Sequence, residues 1–80
     1  MDRDVALRID GMLIAIRGNL DGLAHYVKNN CTDAEFKRIA RQIGATMGET
    51  IDISNDLYQE HPDIVPRELQ SPGRPRERTK

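Results

Sequence analysis

The chain has 80 residues, 38% of them hydrophobic, and its 12 Lys and Arg against 13 Asp and Glu give a formal charge of -1. That length allows one small domain, and one Phe, two Tyr and no Trp leave little from which to build a private core. The charge balance argues against a surface built wholly for nucleic acid. The longest unbroken apolar run, Met12 to Ile16, is far short of the about 20 residues of a bilayer span, and a lone cysteine cannot form an internal disulfide.

No basic-then-apolar leader follows Met1-Asp2-Arg3-Asp4, and single Cys31 fits a reducing compartment, so a cytoplasmic location is expected. The first segment carries Val5, Ile9, Met12, Ile16, Leu20, Leu23 and Val27 at steps of three and four. This is one helical stripe, widened by Ala6, Leu13 and Ala24. It predicts a helix over about residues 3–29, with that stripe turned toward a neighbour.

Asn29-Asn30 tolerates the left-handed geometry that stops a helix, and Thr32 with Glu35 three positions later reads as a capping box. Phe36, Ile39, Ala40, Ile43, Met47, Ile51, Leu57 and Tyr58 repeat the helical signal, predicting a second helix over about 33–61 that Pro62 ends. Each helix would run about 42 Å. A link of three or four residues makes them antiparallel, so residues 1–61 are expected to form a helical hairpin.

Residues 62–80 hold all four prolines. Over 62–70 an extended segment is expected to pack back through Ile64 and Val65, and 71–80 reads as a disordered basic tail with Arg74, Arg76, Arg78 and Lys80.

A second face of helix 1 carries Gly11, Ala15, Gly18 and Gly22, flanked by Leu7, Ile14 and His25. Each helical Gly costs about 0.5–1 kcal/mol relative to Ala, so three on one stripe suggest close approach of another helix, the other reading being drift on a solvated face. A lone hairpin leaves apolar surface bare, which pairing into a four-helix bundle would cover. The fold expected is therefore all-α: a two-helix hairpin dimerising through Leu7, Gly11, Ile14, Ala15, Gly18 and Gly22.

Charge is uneven: residues 1–31 sum to zero, 32–61 to -3 and 62–80 to +2. The acids at the end of helix 2, Glu49, Asp52, Asp56 and Glu60, lie beside Arg3, Arg8 and Arg17 in an antiparallel hairpin. They either pair across the helices on a solvated surface or, with Tyr58, form an acidic patch for a basic partner.

Catalytic signals are sparse. His25 has only Asp21 on its own face as a companion ligand and otherwise reads as a partly buried or interfacial side chain. The ladder Glu49, Asp52, Asp56 lacks a matching acidic motif on helix 1, where Asp10 and Asp21 stand too far apart. Cys31 reads as an exposed turn residue. No catalytic, cofactor or metal site is expected. The basic tail, without an aromatic for stacking, is a poor nucleic-acid signal.

The stretches Phe36-Lys-Arg-Ile-Ala-Arg-Gln-Ile-Gly44-Ala-Thr-Met-Gly48-Glu49 and Leu57-Tyr58-x-x-His61-Pro62-Asp63-Ile-x-Pro66 resemble a pattern in small proteobacterial helical proteins that carry no assigned activity. The resemblance spans roughly residues 32–69 and implies a bacterial helical hairpin.

The expected function is non-enzymatic protein–protein binding, as an adaptor, regulator or inhibitor acting as a homodimer, with an unidentified protein as second partner. The alternatives are a nucleic-acid-associated regulator that uses the basic tail, and a metal-dependent helical-bundle enzyme.

Overall fold

Two long helices lie side by side in the computed structural model, which describes residues 1–66. Helix α1 spans Arg3–Asn30 and α2 spans Asp33–Glu60; a 3-10 turn, Pro62–Ile64, comes next, and no strand occurs among the described residues. The hairpin is all-α, with α1 packed against α2. No helix among the described residues is long and apolar enough to cross a membrane.

Each boundary has a local cause. At the start of α1 the Asp2 carboxylate accepts from the Asp4 backbone N–H at 2.7 Å, which satisfies an otherwise free donor. At its end, Cys31 is extended rather than left-handed, and the Asn30 side-chain amide donates to the Tyr26 carbonyl at 2.8 Å. The asparagine side chain thus folds back over the last turn of the helix, adding a second donor to a carbonyl of that turn.

The capping box of α2 is formed in both directions. Glu35 N–H donates to Thr32 Oγ1 at 3.1 Å, and Thr32 N–H donates to Glu35 Oε1 at 2.9 Å. The backbone bond from Thr32 holds the Glu35 carboxyl below its ordinary range.

Over the described part of the 62–70 segment the chain turns rather than running extended. Pro62 opens the 3-10 turn, Ile64 N–H donates to the His61 carbonyl at 3.1 Å, and Val65 N–H donates to that of Pro62 at 3.4 Å. This brings Ile64 into a cluster with Ala6, Leu13 and Leu57, against which Ile9 and Tyr58 pack. Residues 67–70, and the tail expected over 71–80, lie outside the described residues.

Polar contacts close the same end of the hairpin. The Met1 ammonium pairs with Glu60, Arg3 pairs with Asp63, and His61 Nε2 stands 2.8 Å from the Met1 carbonyl oxygen. The hydrogen bonds from the ammonium and from Arg3 hold the Glu60 and Asp63 carboxyls below their ordinary ranges. These groups are solvated, so each pair adds little stability.

Helix α1 turns toward α2 one edge of the apolar stripe that its periodicity predicts and leaves the other edge outside. Val5, Met12, Ile16 and Leu23 are exposed, whereas Ala6, Asp10, Leu13 and Val27 are buried, with Arg17, Leu20 and Ala24 half-buried between them. The seam thus runs 6, 10, 13, 17, 20, 24, 27, a strict alternation of four and three: it takes Leu20 and Val27 with the widening residues Ala6, Leu13 and Ala24, and adds Asp10 and Arg17, each one residue beyond the predicted Ile9 and Ile16. One residue is about 100° of helix rotation.

The partner helix supplies the reason. The buried positions of α2 are Ile43, Thr50, Ser54 and Leu57, so two hydroxyls face α1. Turning Met12 and Ile16 toward them would set hydrocarbon against buried polar groups, which is costly without a hydrogen-bonding partner. Turning Asp10 and Arg17 there provides one.

Candidate functional site

The most densely bonded cluster in the hairpin is a polar layer across its seam. Asp10 is only 2% exposed, and its carboxylate accepts from Ser54 Oγ at 2.6 Å and from the Tyr58 hydroxyl at 2.7 Å. The Ser54 oxygen in turn accepts from Arg17 Nη1 at 3.1 Å. The same guanidinium nitrogen reaches the Thr50 carbonyl at 3.3 Å and Thr50 Oγ1 at 3.4 Å, while that hydroxyl donates to the Met47 carbonyl at 2.7 Å.

Donors and acceptors therefore alternate from Arg17 through Ser54 to Asp10, with Tyr58 closing the far side. Burial raises the Tyr58 hydroxyl above its ordinary pKa, and the bond to Asp10 adds to this.

The layer is centred on the buried Asp10 and Ser54. No pocket opens among the described residues, and both carboxylate oxygens of Asp10 are already occupied. Its physical effect is on pairing. Sliding or rotating one helix would strand a buried charge and two hydroxyls, so the layer penalises every register but one.

Periodicity alone did not reveal Asp10, Arg17, Thr50 or Ser54. The available signal was the strict four-three alternation from Ala6 to Val27 with Asp10 and Arg17 seven apart, facing a helix with hydroxyls four apart.

The residues expected to drive self-association lie on open surface. Leu7, Gly11, Ile14, Ala15, Gly18 and Gly22 are all exposed, and a Cβ built on Gly11, Gly18 or Gly22 meets nothing within 4 Å. Among the described residues no helix packs on that face. Gly44 and Gly48 of α2 are equally open to an added Cβ. His25 is exposed rather than partly buried, and Cys31 is an exposed free thiol.

The acidic end of α2 divides. Glu49, Asp52 and Asp56 are exposed and form no ion pair among the described residues, while Glu60 is held by the Met1 ammonium. Tyr58 is half-buried with its hydroxyl committed to Asp10. The pairing of these acids with Arg3, Arg8 and Arg17 does not occur: Arg3 reaches Asp4 and Asp63, and Arg17 turns into the seam. No three His, Cys, Asp or Glu side chains among the described residues stand together as metal ligands.

Large apolar side chains at the surface outnumber those in the core. Among the described residues ten are exposed, including Val5, Leu7, Met12, Ile14, Ile16, Leu23, Ile51 and Ile53, whereas the buried apolar residues are Ala6, Leu13, Val27, Ile43, Leu57 and Ile64. Comparison of the chain with protein-family models, curated proteins and solved structures returns no match.

Proposed function

We propose that this protein is a non-enzymatic binding module, a helical hairpin that pairs with a second copy into a four-helix bundle and acts on a further protein as adaptor, regulator or inhibitor. The observation that carries this reading is the excess of exposed over buried large apolar side chains. A soluble helix pair gains most of its stability from packing an amphipathic face, and a contiguous apolar surface of several hundred Å² on a small domain marks an interaction site. Light scattering across a dilution series tests it. A mass of twice the 9.1 kDa chain is expected; a folded monomer at every concentration overturns the homodimer.

A second reading concerns the further partner. Glu49, Asp52 and Asp56 point to solvent and form no ion pair among the described residues, which favours an acidic docking strip for a basic segment of another protein. Titration with an arginine-rich peptide should show binding that weakens with salt and with the double change Asp52→Asn, Asp56→Asn. Equal binding by that variant removes the strip.

A further inference from the structure

We infer that the second copy docks on the face carrying Val5, Met12, Ile16 and Leu23 of α1 and Ile39 and Ile53 of α2, and not on the glycine face. This rests on the homodimer reading and names its surface. Val5, Met12, Ile16, Leu23 and Ile53 are 49%, 54%, 45%, 47% and 46% exposed, and Ile39 is half-buried.

They share one side of the hairpin. At about 100° per residue the four α1 side chains lie on one flank of the seam, and Ile39 and Ile53 lie on the adjoining flank of the antiparallel α2. The register set by the Ser54–Asp10 bond brings Ile53 level with Met12 and Ile16.

Three observations identify the occupant as another copy of this chain. The first is spacing. Val5 and Met12 are seven apart on α1, as are Ile16 and Leu23, so the α1 part of the face repeats in heptads like the seam beside it, while on α2 Ile39 and Ile53 stand fourteen apart with Thr46 between them. A heptad stripe seats an aligned helix, and a helix with two adjacent heptad stripes has two helical neighbours.

The second is size. Two helices of 28 residues side by side present a face of about 42 by 20 Å, roughly the 800 Å² per partner of a stable interface, and a second hairpin matches it in length.

The third is charge. A two-fold interface is isologous, so its rim must complement itself. This rim carries both signs, Arg8 on α1 and Arg38 on α2 against Glu35, Glu49, Asp56 and Glu60 on α2, so a base of one copy can meet an acid of the other.

The opposite side fits less well. There Leu7 and Ile14 continue, at the next heptad step, into Asp21, with His25 beside it. A dry helix seam does not accept an unpaired charge at its centre.

The test uses the full chain. In a mixture of isotope-labelled and unlabelled protein, intermolecular NOEs should arise from the Ile16 and Ile53 methyl groups and not from Leu7 or Ile14. Ile16→Asp should weaken self-association about a hundredfold or more by placing a charge in the seam, with helix content retained in circular dichroism. Gly18→Leu should leave it unchanged. NOEs from Leu7 and Ile14, or a dimer lost in Gly18→Leu and kept in Ile16→Asp, overturn this assignment while leaving the homodimer in place. A wild-type chain that stays monomeric overturns the homodimer itself, and the assignment with it.

Discussion

The Tyr58 hydroxyl donates to Asp10 Oδ2 at 2.7 Å although the two residues stand 48 positions apart. This bond joins the last turns of α2 to the second and third turns of α1. Together with Ser54 it gives each Asp10 carboxylate oxygen a donor, so a charge that would be intolerable on a bare seam becomes the feature that aligns it.

Asp10→Ala removes the acceptor shared by Ser54 and Tyr58 and leaves Arg17 without the chain of bonds it feeds. Breaking a buried polar group in this way costs about 3 kcal/mol. Urea unfolding at neutral pH should show that loss, whereas Asp21→Ala, on the exposed face of the same helix, should stay within about 0.5 kcal/mol of wild type. Equal effects would mean that Asp10 does not hold the seam.

Tyr58→Phe keeps the ring packed and deletes only the donor, at a cost of about 1 kcal/mol. Its signature is in the alkaline limb. The folded chain holds the Tyr58 proton above the ordinary value of 10.0, so the associated stability is complete below pH 10 and is lost as pH rises through the raised value. The difference in unfolding free energy between wild type and Tyr58→Phe should therefore narrow as pH climbs past 10. A constant difference would exclude the bond as its source.

Thr32→Ala should cost about 1 kcal/mol, since both hydrogen bonds of the capping box depend on that hydroxyl or on the geometry it imposes. The Glu35 carboxyl is held below its ordinary 4.5, so its contribution is present above that pH and lost as pH falls through the lower folded value. Thermal melts of the two proteins should converge on acidification below pH 4.5.

Gly18→Ala and Gly22→Ala should each stabilise the protein by about 0.5–1 kcal/mol, because the added methyl meets nothing within 4 Å and the helix gains propensity. Chemical denaturation at two protein concentrations gives both the sign and its dependence on self-association. Destabilisation that grows with concentration would place a helix on the glycine face.

The amino-acid sequence by itself determined two helices, their limits to within a residue, the capping box at Thr32 and Glu35 and the stop at Pro62, because caps and breakers act within one turn of chain. The same locality explains why Cys31 was legible as an exposed turn residue. Which face of α1 meets α2 was decided only by tertiary structure. The apolar arc of α1 is wider than one seam, so Val5, Met12, Ile16 and Leu23 on one side and Ala6, Leu13 and Ala24 on the other were both available. The choice fell to the partner helix, since the buried Ser54 hydroxyl finds its acceptor in Asp10 and its donor in Arg17 only when those two face it. A hydrogen bond between residues more than forty positions apart leaves no periodic trace in either helix. The rotation it imposes buries a carboxylate and leaves the most apolar stripe of the chain on the outside.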